Sequence, residues 1–380
     1  MGCKICKSEN KKTKMLPLGL KSPPFSPSKS NLQTNSNSQP SSKLTSQNYK
    51  TIEEKISTVP WISQNFETTN IEKIGEGGFG KVFGAIGLKE KKRYAIKYMH
   101  FESEEDFDSM IKEINIMSAL QRYGNIVKIE DRYVVFDSRE IYIVMERGDR
   151  SLENLIKERK NKINYELFLQ IFSDLAFGLF SAHEDGFVHS DIKPQNILVF
   201  EDSDRAKLRN IQNFNVVNKN LTFKLTDWGA GTSNYTGKTT RLKTGMTFTT
   251  TYAAPELLID NENVNFKKSD VFSLAMTMVN CCGVPYKNIK HISSIEISEK
   301  FTKEIEEVIT MISSEYGDII KNLLKGMLCF DRHTRIEMKE VIETLKSLSK
   351  KQEPIKVIKE IPSNKSLPPN REKKKGRKRT

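Results

Sequence analysis

Apolar residues along this chain fall into two periodic regimes, one after the other. Ile71 to Ile74, Lys81 to Ile86 and Arg93 to Met99 are short β-rich runs separated by glycine-containing or charged turns, and they predict antiparallel hairpins. A helix is expected from Glu104 to Leu120, where Phe107, Met110, Ile111, Ile114, Met117 and Leu120 recur at spacings of three and four and build one apolar face. Tyr133 to Phe136 and Ile141 to Met145 add two strands. Beyond them the period turns helical. Glu166 to His183 carries Phe168, Ile171, Phe172, Leu175, Leu179 and Phe180 on one side, with Gly186 as its stop. Further helices are expected at Asp270 to Asn280, Lys303 to Ser313, Ile319 to Leu328 and Met338 to Leu348. Strands first and helices afterwards predict an α+β arrangement in two lobes rather than a parallel α/β sheet.

The patterned region runs over residues 51–349, with the first lobe expected at about 51–147 and the second at about 148–349, enough chain for a shared cleft. Residues 1–50 hold nine Lys, one Glu and no aromatic except Phe25 and Tyr49, among repeated Ser, Asn and Pro. So little apolar surface does not offset the entropy of ordering, and a disordered basic segment is predicted there and again at 350–380. The two tails carry +8 and +9 against a whole-chain charge of +13, which leaves about −4 for the region between them. The basicity therefore belongs to the tails, and no specific nucleic-acid partner is expected of the core. Cys3, Cys6, Cys281, Cys282 and Cys329 are odd in number, and no second Cys-x-x-Cys completes a zinc site. A reducing compartment is expected. No apolar run reaches the about 18 residues that span a bilayer, and the chain does not open on an apolar signal core. These features predict a cytoplasmic or nuclear protein, or one held only at a membrane surface.

Gly75-Glu-Gly77-Gly78-Phe-Gly80-Lys-Val82 joins two predicted strands, so its glycines can form a hairpin whose amides approach phosphates closely. A dinucleotide-binding turn would lead into a helix instead, and no Gly-Lys-Ser/Thr is present. On its own the run reads equally well as a structural hairpin. Tyr94-Ala-Ile-Lys97 ends an apolar strand on a lysine, and Glu113 lies on the helix face that carries Met110 and Met117. A lysine held by a carboxylate presents a fixed positive charge to phosphates. Lys97 alone would be an ordinary lysine with its stem on apolar surface.

Val188-His189-Ser190-Asp191-Ile-Lys193-Pro-Gln-Asn196 then follows, with Asp227-Trp228-Gly229 and Tyr252-Ala-Ala-Pro255-Glu256 after it. With these in order over residues 70–348, the chain resembles the eukaryotic protein kinase family, Ser/Thr branch, in every major motif. The resemblance implies a two-lobed kinase fold, with an antiparallel β N-lobe bearing one regulatory helix and a mainly helical C-lobe. It also implies ATP and Mg²⁺, and transfer of the γ-phosphoryl group to Ser/Thr hydroxyls of protein substrates. By the same resemblance Asp191 orients the hydroxyl, Lys193 stabilises the moving phosphoryl group and Thr249 supports both. Asn196 and Asp227 ligate Mg²⁺, and Lys97 with Glu113 holds the phosphates under Gly75, Gly77, Gly78 and Gly80. Val82, Ala95 and Leu198 line the adenine pocket, with Met145 as gatekeeper and Glu146 opening the hinge. Asp270 anchors the catalytic loop, and Glu256 pairs with Arg335.

Three departures stand out: Ser190 in place of the usual Arg, Trp228 in place of Phe, and a long Asn196–Asp227 stretch that contains a polar insertion from Glu201 to Asn220. They keep a second class open, a kinase-shaped scaffold without transfer, although Lys97, Asp191, Asn196 and Asp227 together favour the enzyme. Serine cannot offer a bidentate guanidinium to a phosphorylated residue. Activity without phosphorylation of the segment Asp227 to Glu256, or control by the tails or a partner, is therefore expected despite its hydroxyls from Thr232 to Thr247, with Lys238, Arg241 and Lys243 as the local cations able to substitute. Met1-Gly2-Cys3-Lys-Ile-Cys6 resembles the start of doubly acylated signalling proteins, with Gly2 for myristoyl and Cys3 and Cys6 for palmitoyl, though the usual Ser/Thr at position 6 is missing. The C-terminal Lys/Arg cluster reads as a nuclear address, a second contact with acidic lipid, or solvated charge.

Overall fold

Alternation builds the first sheet with two apolar faces rather than one. In β4 (Arg93–His100) and β6 (Glu140–Glu146), Ala95, Ile141, Ile143 and Met145 join the main core, while Ile96, Tyr142 and Val144 belong to a second cluster on the opposite face. A computed structural model describes residues 13–14, 51–77, 80–201, 221–231, 249–259, 264–284 and 296–351. Gly2, Cys3, Cys6, Gly78, the insertion after Glu201, residues 232–248 and the C-terminal tail after 351 lie outside the described residues. The sheet has the antiparallel order β1-β5-β6-β4-β3-β2, with β2 at Glu72–Gly77, β3 at Gly80–Ile86 and β5 at Ile129–Val135. β1 is Thr13–Lys14, whose backbone pairs with Val134 and Val135 inside the stretch expected to be disordered.

Helix α3 runs over Glu104–Leu120, the limits that its apolar spacing predicts. Ser103 caps it, accepting from the Asp106 amide while the Asp106 carboxylate accepts from the Ser103 amide, which satisfies donors the first turn would leave orphaned. After β6 come the short β7 (Arg150–Ser151) and α4 (Leu152–Glu158), and then α5 (Tyr165–Glu184), the central helix of the second lobe. Gly186 at φ 79° lies just beyond the end of α5 in the left-handed conformation that glycine adopts without strain. β8 (Ile197–Glu201) and β9 (Leu221–Leu225) pair antiparallel, and α6 (Pro255–Ile259), α7 (Phe266–Cys281), α8 (Glu296–Met311), α9 (Gly317–Met327) and α10 (Met338–Lys351) complete the helical part. α5 packs on α7, α10 and β9. Strands first and helices afterwards give the expected α+β, two-lobed architecture. No helix among the described residues is long and apolar enough to cross a membrane.

Two elements precede the predicted strands where the sequence pattern gave none, α1 (Ile52–Ser57) and α2 (Pro60–Asn65). Six-residue helices are too short to display a period, and alone they would not hold together in water. They are held by the outer face of the sheet: Ile56, Val59, Ile62 and Phe66 bury against Phe83, Ile96, Tyr142 and Val144. Trp61 stacks on Tyr133 at 5.3 Å between ring centroids. Lys55 pairs with the buried carboxylate of Glu140, which also accepts from Tyr98, Ser138 and Tyr142. Covering this face turns a half-wet sheet into a layer buried on both sides.

Because Ile62 is fully buried at that contact, Ile62→Ala should lower the unfolding free energy by about 2–4 kcal/mol. Urea denaturation followed by tryptophan fluorescence reads the change, and an unaltered midpoint would mean that the two helices are not part of the folded core.

Candidate active site

The register of β3 on β4 sets Val82 opposite Lys97 and Gly84 opposite Ala95, while β4 on β6 sets Ala95 opposite Met145. Val82, Ala95 and Met145 thus lie on the side of the sheet that packs into the main core. Leu198 on β8 packs on the same core from the second lobe, beside the hinge, where a Cβ on Gly148 would fall 2.9 Å from its own. Gly77 pairs with Gly80 across the hairpin, and Gly80, at φ 140°, stands where any Cβ would run into the carbonyl of Tyr98. Gly75 sits at a register shift of β2.

Lys97 donates to Glu113 of α3 at 2.7 Å and to Asp227 at 3.0 Å. Burial works against its ammonium, but the two carboxylates outweigh it and hold the Lys97 pKa above the ordinary lysine value. Burial likewise opposes charge on Asp227, and Lys97 reverses that effect, keeping the carboxyl below the usual range and ionised. Asp227 itself is in the left-handed region at φ 62°, a conformation that Asp tolerates better than most residues. The turn that follows β9 is what aims it at Lys97.

The second cluster is built on the β8–β9 pair. Ile197 lies opposite Leu225, so Asn196, just before β8, and Asp227, just after β9, are brought side by side, and the Thr226 amide donates to the Asn196 carbonyl at 3.0 Å. Asn196 Nδ2 donates to the backbone carbonyl of Asp191 at 2.9 Å and to its carboxylate at 3.0 Å, which leaves the amide oxygen for a cation. Lys193 Nζ bridges Asp191 at 2.6 Å and the Thr249 hydroxyl at 2.7 Å, while the Thr249 amide donates to the other Asp191 oxygen at 3.2 Å. Asp191, Lys193, Asn196 and Thr249 thus form one network, as expected.

Asp270 of α7, fully buried, accepts from the amides of His189 and Ser190 at 2.8 Å each and pairs with His183 at 2.9 Å, which fixes the backbone that leads into Asp191. Glu256 and Arg335 form a two-pronged buried pair at 2.7 and 3.0 Å. Both supports fall where the sequence places them. Trp228 is fully buried beside the His189 ring at 4.5 Å and leaves the Lys97–Asp227 contact intact. The larger ring fits, but its indole N–H has no partner among the described residues, and neither does the buried Ser190 hydroxyl.

Two groups around the site escape the motif reading. Glu146 opens the hinge as expected, yet its buried carboxylate accepts from Lys224 of β9 at 2.5 Å and from the Lys128 amide at 3.0 Å. Arg147, the next hinge residue, lays its guanidinium over Gly84, where a Cβ would displace it, and reaches Glu72 at 2.8 Å. Alternation within Leu-Thr-Phe-Lys-Leu suggests a lysine on the wet side of β9; the strand is buried on both faces instead.

The family model for the protein kinase domain matches residues 68–345. Among curated proteins, the chain is 25% identical over 279 residues to calcium-dependent protein kinase 5 of Plasmodium berghei, covering 71% of this chain and 44% of that one. It is 27% identical over 296 residues to the interferon-induced, double-stranded RNA-activated protein kinase of Mus musculus, covering 74% and 51%. It is 25% identical over 282 residues to the probable serine/threonine-protein kinase fhkB of Dictyostelium discoideum, covering 72% and 22%. The chain spans about half or less of the length of these relatives.

Removing one partner of a buried ion pair strands the other, so Lys224→Met should cost about 3–5 kcal/mol of stability, whereas Lys224→Met combined with Glu146→Leu should recover most of it. Equal losses in the single and double variants, measured by chemical denaturation, would show that the pair does not act as a unit.

Proposed function

This chain belongs to the protein kinase family, and from that membership we propose that it transfers the γ-phosphoryl group of ATP to Ser/Thr hydroxyls of protein substrates. The observation that carries the proposal is Lys97 held by Glu113 and Asp227 at once, with the Asp191–Lys193–Thr249 network assembled beside it. A scaffold that only binds partners has no need of both. Phosphoryl transfer asks the protein chiefly for positioning and for charge placed where charge develops. Lys97 supplies a permanent cation to the nucleotide phosphates. Asp191, steadied by Lys193 and the Thr249 amide, accepts from the incoming hydroxyl and orients it, and the Lys193 ammonium stands ready for the negative charge on the transferred group. Val82, Ala95, Leu198 and Met145 supply apolar walls for the base, and the Glu146 backbone supplies the hinge.

Asp227 and the Asn196 amide oxygen are hard donors that suit Mg²⁺, an ion that takes few protein ligands and fills the rest of its octahedron with water and phosphate oxygens. Asp227 and Asn196 would hold the cation, which would supply positive charge to offset that of the nucleotide phosphates. For location, the reading is membrane attachment through acylated Gly2, Cys3 and Cys6, aided by the basic tails, since one acyl chain alone anchors only marginally. The Lys/Arg-rich C-terminus is the competing address, to the nucleus.

Asp191→Asn should leave ATP binding nearly intact and abolish transfer to a generic basic protein, because it removes the hydroxyl acceptor and spares the cation ligands. Asp227→Asn should weaken Mg²⁺-dependent ATP binding itself. Unchanged turnover in Asp191→Asn would sink this mechanism. For attachment, Gly2→Ala should shift the protein from the membrane to the soluble fraction; identical fractionation of the two proteins would remove the lipid reading, and nuclear accumulation of the variant would favour the basic address.

A further inference from the structure

Glu113 can hold Lys97 only while α3 stays against the rest of the site, and Ser190 offers no guanidinium with which the catalytic loop could order the segment after Asp227. Its hydroxyl is buried and without a partner among the described residues. A cation nevertheless reaches that segment from another element. Lys112, the residue before Glu113 on α3, donates from Nζ to the carbonyl oxygen of Gly231 at 2.6 Å. One turn further along, Ile116 Cδ1 lies 3.6 Å from where a Cβ on Gly231 would stand, so residues i and i+4 of the same helix face both meet this one glycine.

Gly231 is itself wedged. Its amide closes a turn onto the Trp228 carbonyl at 2.9 Å, and a Cβ there would fall 2.8 Å from the carbonyl oxygen of Val188 and 2.9 Å from that of Trp228. The glycine is required because three pieces of the chain close on it: the turn after Asp227, the loop after α5 at Val188, and α3. Lys112 fastens the third to the other two.

We propose that Lys112 is a positioning residue whose hydrogen bond to the Gly231 carbonyl pins α3 to the start of the activation segment, holding Glu113 on Lys97 with no phosphate on that segment. The proposal deepens the kinase reading, on which its effect on turnover rests, while the pin stands on geometry alone. The cation is not one of the segment's own, Lys238, Arg241 or Lys243, which lie outside the described residues; it comes from the helix that has to be held. A hydrogen bond to a charged group shifts an equilibrium by roughly ten- to a hundredfold, enough to decide whether α3 stays in place. Ammonium bound to carbonyl has no requirement for a bidentate acceptor, so arginine can replace lysine here if it reaches.

The full-length protein, stripped of phosphate with a phosphatase, is compared with Lys112→Met and Lys112→Arg for transfer to a generic basic protein and for amide hydrogen exchange in α3. Treated wild type should remain active. Lys112→Met should lose about tenfold or more in kcat with a smaller change in the KM for ATP, and its α3 amides from Glu113 to Leu120 should exchange faster. Lys112→Arg should restore both within about threefold, which a merely structural lysine would not predict. Should Lys112→Met fold poorly, Gly231→Ala attacks the same contact from the other side and should reproduce the loss in kcat and the faster α3 exchange. Lys112→Met with kcat and α3 exchange like wild type, or treated wild type inactive while the phosphorylated form is active, would overturn the pin. Wild type without transfer in any phosphorylation state would defeat the kinase reading instead, and α3 exchange in Lys112→Met would still decide for or against the pin.

Discussion

An ammonium withdrawn from water must be given counter-charge, and the whole site depends on how Lys97 obtains it. Its two carboxylates lie 16 and 130 residues away along the chain, one on a helix and one on a turn after a strand. Both must be in place together, because a single partner would leave Lys97 or Asp227 badly compensated in a buried position. The demand fixes the depth of α3 against the sheet, and it fixes the left-handed turn at Asp227. It also ties the two lobes across the cleft, since Lys97 belongs to the first and Asp227 to the second. Nearly every other contact described above either satisfies this condition or follows from it.

The strand that carries Lys97 is steadied from behind. Ile96 and Tyr98 alternate with it along β4 and face the second apolar cluster, so α1 and α2 press on the same strand whose other side presents the ammonium. The family match begins at residue 68, after both helices, so this covering belongs to the present chain rather than to the matched domain. Lys55 over the buried Glu140 supplies the polar half of that contact and Trp61 on Tyr133 the apolar half. Rigidity at the site is thus partly a property of the far face of the sheet, which a view of the cleft alone would overlook.

Much of the site was legible because the protein kinase family restricts residue type at each place. Asp191, Lys193, Asn196, Asp227, Lys97 and Glu113 are individually unremarkable, but their order and spacing leave few other readings, and the structure brings all of them together. Long amphipathic helices were legible for a different reason: α3 spans several turns, so its face repeats often enough to mark both ends. What stayed hidden has physical causes. α1, α2 and α4 are of six or seven residues, shorter than the window in which a helical period shows. Lys224 sits in a strand that alternates polar and apolar residues yet is buried on both faces, so its pairing with Glu146 depends on a neighbour 78 residues away. Lys112 is one more lysine on a charged helix until Gly231 is seen against it. Motifs report groups that touch the reacting atoms; they are silent about groups that hold those groups in place.

The buried ion pairs share a pattern that bears on why they exist. Lys97 with Glu113, Lys224 with Glu146 and Arg335 with Glu256 each join two different elements, the last two pairs 78 and 79 residues apart, and each is largely shut off from water. Apolar replacements of similar shape would often hold such contacts as well or better, so net stability is a poor account of them. Geometry is a better one. An apolar contact tolerates sliding by a fraction of a residue, whereas a two-pronged guanidinium–carboxylate pair or a lysine shared between two carboxylates has only one good register. The three pairs lie where a small slip would be most costly: α3 against the sheet, the hinge against the strand that leads to Asp227, and the segment after Thr249 against the helical lobe. Trp228 and Ser190 mark the opposite case. Each leaves a buried polar atom without a partner among the described residues, beside the loop that Asp270 holds through His189 and Ser190. Two unmet groups are tolerable there because the charged anchors around them already determine where the loop must lie.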